Sequence, residues 1–224
     1  GNAAPGVWIS PHAERVAELA PWWAPGHAVL ADALARRPRK RKEALAAADR
    51  AIELDPQSVV GYVAAGNVEL GHGKWKQAEG WYRRALELEP HDRAAQLNLV
   101  VAQEAGGKLA PAFVDVGALL RFDPRDEEAR SRIDELVRRT FVDNLKYAAG
   151  ELGRAGLRLL IEPINTYDIP GFYLNRTAQA ISILDEVGAA NAFVQYDIYH
   201  AQRMEGELAA TVQKHLARIG HLQL

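Results

Sequence analysis

From Val59 to Asp92 the chain reads VVGYVAAGNVELGHGKWKQAEGWYRRALELEPHD. Its apolar residues recur at helical spacing, without the alternation of a half-buried strand, so helices are expected. Leu88-Glu89-Pro90 near its end has counterparts in Leu54-Asp55-Pro56 and Phe122-Asp123-Pro124, each 34 residues from the next. A fixed spacing of this kind marks an internal repeat. Tyr62, Gly66, Gly73, Ala78, Tyr82, Ala85 and Pro90 define the middle copy. Ala44, Ala51 and Pro56 keep the pattern before it, and Gly107, Ala112 and Pro124 keep it after it. Small residues at Gly66, Ala78 and Ala85 let two helices approach closely. Tyr62 and Tyr82 are expected to fill the space between units, and each proline ends a helix that has no amide left to continue it.

These residues resemble the tetratricopeptide repeat, a 34-residue helix-turn-helix unit, and the match covers about residues 25–137 as three copies. The resemblance implies a concave face that takes a peptide or protein partner. Copy one has Asp32 and copy three Val100 where Gly66 stands, so looser helix contacts are expected in both. Arg36, Arg37, Arg39, Lys40, Arg41 and Lys42 fall on the turn inside copy one. They surround Pro38 and lack interleaved aromatics for base stacking, so they read as a solvated turn. Trp22 and Trp23, in the N-terminal segment 1–24, are expected to cap the first helix pair.

The whole chain sets wider limits. Its 224 residues carry 27 Lys and Arg against 29 Asp and Glu, a net charge of -2 that offers no general attraction to nucleic acid or an anionic membrane. Neither is expected as a partner. The absence of cysteine excludes disulfide scaffolds, thiolate catalysis and cysteine-ligated zinc. No apolar run approaches the roughly 20 residues of a membrane span, and no basic stretch precedes an apolar core near the start. A cytoplasmic location is the expectation. The chain starts at Gly1 and stops at Leu224 within the apolar run His221-Leu222-Gln223-Leu224, so both ends read as cut.

After about Thr140 the period changes. A helix through Phe141, Leu145, Ala148 and Leu152 leads through Gly153 and Gly156 into a strand over Leu157–Ile161. Because Glu127 to Leu152 contains only Gly150 as a helix breaker, the last repeat helix and this one are expected to join into a rod of roughly 39 Å. A loop with Pro163, Pro170 and Gly171 follows, then a helix from Thr177 to Val187 stopped at Gly188, a strand over Ala192–Tyr196, a helix near Glu207 to Arg218, and the run from His221. Helix and strand in alternation predict parallel βαβ units. Glu162, Asp197 and Gln223 stand at the downstream ends of the three strands. Parallel barrels gather their active-site residues at that end. Two carboxylates and an amide oxygen form a hard donor set suited to magnesium or manganese.

Leu160-Ile161-Glu162-Pro163-Ile164-Asn165, Asp168 to Leu174, Gln195-Tyr196-Asp197-Ile198-Tyr199-His200 and His221 to Leu224 closely resemble hydroxypyruvate isomerase, of the xylose-isomerase-like group of (β/α)8 barrels. The resemblance runs from Thr140 to Leu224. It implies that Glu162 is both metal ligand and acid/base catalyst, that Asp197 and Gln223 are further ligands of Mg or Mn, and that His200 contacts substrate. Asp168 matches, less closely, a substrate-binding acid of related sugar epimerases. His215 and His221 read as structural. The implied reaction is aldose-ketose isomerisation of a small hydroxy-oxo acid, hydroxypyruvate to tartronate semialdehyde. It passes hydrogen between adjacent carbons through an enediolate and uses two carboxylates for the proton transfers.

A complete barrel of this kind needs about 250 residues. Here residues 139–224 supply three strands, corresponding to the fifth to seventh, after the repeats at 25–138. The family's second acid/base glutamate belongs to the eighth strand and has no counterpart. The predicted class is therefore α + α/β: a TPR-like helical repeat array followed by an incomplete (β/α)8 barrel segment with three parallel strands. A gene fusion, a rearranged coding sequence and a fragment of a longer chain all fit this pattern. An isomerase-like protein and a repeat-based interaction scaffold with a vestigial barrel segment are the two functional readings.

Overall fold

The computed structural model describes residues 9–224, with side chains from residue 12. Residues 1–8 of the expected N-terminal segment lie outside the described residues. Two compact units divide the chain, one ending at Asp134 and one spanning Glu135–Leu224. Among the described residues no helix is long and apolar enough to cross a membrane.

The first unit is helical. After α1 (Ile9–Leu19), the pairs α2 (Ala24–Ala35) with α3 (Arg41–Leu54), α4 (Val59–Gly71) with α5 (Trp75–Leu88), and α6 (Arg93–Ala105) with α7 (Leu109–Phe122) form the three repeat copies. The Leu-Asp-Pro type turns end one copy and cap the next. Ser58 accepts from the Val60 amide, Asp92 from Ala95 and Asp126 from Ala129, so each following helix starts on a side-chain acceptor. Gly73 and Gly107, with φ of 70° and 75°, make the tight turns inside copies two and three. Copy one has Arg39 at that place, and its basic turn follows another path between Ala35 and Arg41.

Copy two is packed around Gly66. A Cβ there would stand 2.4 Å from the Tyr82 ring, so the absent methyl lets Tyr82 lie against α4. Tyr82 was expected between units; it packs inside its own copy and also clusters with Leu99 and Ala102 of the next. Val100 is fully buried, so copy three fills the Gly66 position instead of packing loosely there. Trp23 lies over Gly26, whereas Trp22 is 73% exposed, so one of the two expected caps forms. Lys40 pairs with Glu43 and Arg41 with the buried Glu69, while Arg39 and Lys42 are exposed.

Helix α8 (Glu127–Arg154) is 28 residues long and contains the boundary between the units. The second unit continues with β1 (Leu159–Ile161), α9 (Thr177–Val187), β2 (Ala192–Asp197), α10 (Ile198–Met204), α11 (Leu208–His215), a 3-10 turn (Leu216–Arg218) and β3 (Ile219–Gln223). The strands form one parallel sheet in the order β1-β2-β3. Strand β1 is shorter than expected because Gly156, at φ 69°, lets the Leu157 amide bond back to Leu152 and close α8. Gly188, at φ 70°, stops α9 where expected. Ala192, Val194 and Tyr196 point one way into a core with Ile183, Leu184 and Leu145. The alternate residues Phe193 and Gln195 are left half-buried on the other face.

Candidate active site

Side chains from the downstream ends of β1, β2 and β3 meet in the second unit. Asp197 ends β2 and caps α10, accepting the His200 amide at 3.1 Å through Oδ1. This cap explains the short helix α10, which the sequence reading did not anticipate. One turn into α10, His200 Nε2 stands 3.8 Å from Glu162 Oε1. One ligand-type atom each from Glu162, Asp197 and His200 lies within 4.8 Å of the others. Asp197 is buried and Glu162 half-buried. Two carboxylates this near repel by roughly 3 kcal/mol at an effective dielectric constant of about 20. An oxygen-preferring divalent cation suits that donor set, so the residues present fit the metal that the fold family implies.

Gln195, on β2 two residues before Asp197, joins Glu162 to Gln223. Its Nε2 donates to Glu162 Oε2 and to Gln223 Oε1, both at 2.9 Å. Gln223 therefore reaches the same end of the sheet through Gln195. A role for Gln195 was missed in the sequence, although a polar residue at the same parity as Asp197 in an otherwise apolar strand is a readable signal.

Asp168 stands apart from Glu162, on the loop after β1, and Asn165 connects it to the cluster. Asn165 is fully buried; its Nδ2 lies 2.9 Å from Asp168 Oδ2 and 2.8 Å from His200 Nδ1. Asp168 also accepts from the Tyr199 hydroxyl at 2.7 Å and has Arg203 at 3.4 Å. Hydrogen bonds from Asn165 and then Tyr199, with the nearby Arg203 charge, hold the Asp168 carboxyl below the ordinary range. Beside Glu162 an apolar groove of about 470 Å³ opens between Phe141, Leu145, Leu160, Phe172 and Tyr173.

The repeat unit carries a second concavity of about 630 Å³, lined by Asp32, Asn67 and Leu70 on the first helices of copies one and two and by Arg36 and His72 just past their ends. Asn67 is its hub. It donates to Asp32 at 3.0 Å and accepts from the Tyr82 hydroxyl at 2.8 Å and Asn98 at 2.9 Å. Burial pushes the Asp32 carboxyl up.

Comparison with known proteins agrees with both units. Hydroxypyruvate isomerase of Escherichia coli (strain K12) is 53% identical over 90 residues, covering 40% of this chain and 35% of that protein. The 2-oxo-tetronate isomerase of Cupriavidus necator is 47% identical over 87 residues, covering 39% and 34%. The chain thus spans about a third of the length of the curated relatives it matches. A thermophilic TPR protein of Thermus thermophilus superposes with a TM-score of 0.52 at 21% identity, over 57% of this chain and 70% of that one, and shares the repeat fold. The family model for the xylose isomerase-like TIM barrel matches residues 95–224, beginning within α6 and running through every strand of the sheet. With more than half of its residues inside that match, the chain belongs to the xylose isomerase-like TIM barrel family.

Proposed function

We propose that the second unit holds a divalent cation, magnesium or manganese, on Glu162 and Asp197 with Gln223 as third ligand, and binds a small hydroxy-oxo acid of the hydroxypyruvate type there. The observation that carries this is the gathering of Glu162, Asp197 and His200 at one sheet end. The isomerase relatives support the substrate class. A cation bound there supplies Lewis-acid stabilisation of the charge that develops on substrate oxygens. The chain's own residues do the rest. Gln195 holds Glu162 Oε2, leaving Oε1 directed to the site to accept a proton from the substrate carbon. His200 donates a hydrogen bond to a substrate oxygen, and Asp168 is assigned to the substrate's far end. Isomerisation needs a second group to return the proton on the neighbouring carbon. The 224 residues supply no counterpart of the family's second glutamate, so cation and substrate binding without turnover is the expected behaviour of this polypeptide. Calorimetric titration of hydroxypyruvate with and without Mg, beside a turnover assay, tests it. Binding that requires the metal supports the reading. Metal-stimulated conversion lost in Glu162→Gln would show that the second group is supplied in another way.

The repeat unit supports a second reading, a peptide-binding surface. Its basis is the groove between α2 and α4, in which Asn67 and Arg36 offer amide and cationic contacts to an extended backbone and an acidic side chain. Panning a displayed peptide library on the intact protein checks this. Acidic peptides selected by the wild type and lost in Arg36→Glu are expected, and selection unchanged in Arg36→Glu would contradict it.

A further inference from the structure

We infer that Asn165 is a positioning residue that fixes neutral His200 in its Nε2–H tautomer, so that His200 acts toward Glu162 and Asp197 as a hydrogen-bond donor and not as a metal ligand. The tautomer follows from the geometry around Asn165. The use of the donor on a substrate oxygen rests on the reading proposed above.

The orientation of the Asn165 amide is over-determined. Its oxygen faces two backbone donors, the amides of Tyr167 at 3.1 Å and Asp168 at 2.9 Å. Its nitrogen faces the Asp168 carboxylate at 2.9 Å. Exchanging oxygen and nitrogen would turn two hydrogen bonds into donor-donor clashes and set an amide oxygen against a carboxylate. In a fully buried side chain each such loss is costly because no water replaces the partner. The nitrogen is therefore also the atom that meets His200 Nδ1 at 2.8 Å. An amide N–H can only donate, so Nδ1 must accept. A neutral imidazole carries a single N–H, and when Nδ1 is the acceptor the hydrogen sits on Nε2.

That assignment has a chemical consequence. Of the three residues gathered at the sheet end, His200 turns Nε2 toward Glu162, 3.8 Å from its Oε1. A nitrogen that bears hydrogen has no lone pair to give a cation. It donates instead, to an oxygen held on the Glu162 side of the ring. The site is thereby divided into oxygen donors for a cation and one N–H donor for a bound oxygen. Asp168 contributes at a distance by fixing the amide that fixes the ring.

Nitrogen-15 NMR of the full chain tests this without metal or substrate. Long-range proton-nitrogen correlation distinguishes protonated from unprotonated ring nitrogens, and His200→Gln identifies the signals. At a pH near 8, where free histidine is neutral, His200 is expected to show a protonated Nε2 and an unprotonated Nδ1. In Asn165→Ala that signature should give way to an averaged pair, and Asn165→Asp, whose carboxylate can only accept, should shift it to Nδ1–H. A wild-type ring protonated at Nδ1 would overturn the inference. So would an unchanged Nε2–H signature in Asn165→Ala, since a residue with a merely structural role would leave the tautomer alone. Failure of the wild type to bind a divalent cation would count against the proposed function and not against the tautomer, which is read in the unloaded protein.

Discussion

At the scale of single residues, two glycines separate a packing requirement from a conformational one. A Cβ at Gly66 would meet three Tyr82 ring carbons at 2.4–2.7 Å, whereas one at Gly80 would meet nothing within 4 Å. Gly66→Ala should therefore destabilise the repeat unit by about 1–3 kcal/mol through overpacking. Gly80→Ala should stabilise it by about 0.5–1 kcal/mol because alanine costs a helix less backbone entropy. Urea midpoints of the two variants check both signs, and equal shifts would mean that Tyr82 does not lie on Gly66. The importance of Gly66 was legible because copy two matches the repeat pattern most fully and that pattern wants a small side chain there, although Asp32 and Val100 take the place in copies one and three. Asn67 beside it was not legible. Its value lies in three partners from three helices, which only the folded chain assembles. The same holds in the second unit, where Glu162, Asp197 and Gln223 could be read from strand ends, but Gln195 and Asn165 act through neighbours distant in sequence.

At the scale of elements, the repeat turns explain how one helix hands over to the next. Ser58, Asp92 and Asp126 follow the three prolines at the same 34-residue spacing, and each caps the next helix. That periodicity was in the sequence, but its meaning needed the helix starts. The Asp126 cap carries the most charge. Arg93 bonds both of its oxygens, at 2.8 and 3.0 Å, and the Ala129 amide adds a third donor. Arg93 first, then Ala129, pulls its carboxyl down to about 2. A carboxyl depressed on folding adds stability that is fully present above its unfolded value near 3.9 and fades as pH falls toward the folded value. The wild type should thus exceed Asp126→Asn in urea midpoint at about pH 6, with the gap closing between about pH 4 and pH 2. A gap independent of pH would remove the charge from the explanation. In the second unit, strand boundaries were harder to read than helix stops. Gly188 sits where a left-handed residue must end α9, whereas β1 loses its first residues to the backbone closure of α8, an effect of hydrogen bonding beyond any periodicity.

At the scale of the whole molecule, each unit has its own core, and the two cores differ in what supports them. The repeat copies bury alanine-rich helix faces against their neighbours. The sheet has three strands whose outer edges, on β1 and β3, pair with no further strand among the described residues. Its Leu160 and Leu222 remain 37% and 40% exposed. Unpaired parallel edges leave backbone donors and acceptors to solvent, so the second unit should open first. The sequence supplies a built-in probe, since all five tryptophans precede Arg83. In urea the far-ultraviolet dichroism, which sees both units, should begin to fall before tryptophan fluorescence, which reports the first unit. Coincident curves would mean one cooperative structure. The central claim, that Glu162 and Asp197 hold a divalent cation, is tested most directly by electron paramagnetic resonance of Mn(II) titrated with the full chain, since bound ion leaves the sharp free-ion signal. The expected result is a dissociation constant of about 1 mM, typical of a site with few carboxylate ligands, and no binding in Glu162→Gln or Asp197→Asn. A free-ion signal undiminished by the wild type, or diminished equally by Glu162→Gln, would contradict it.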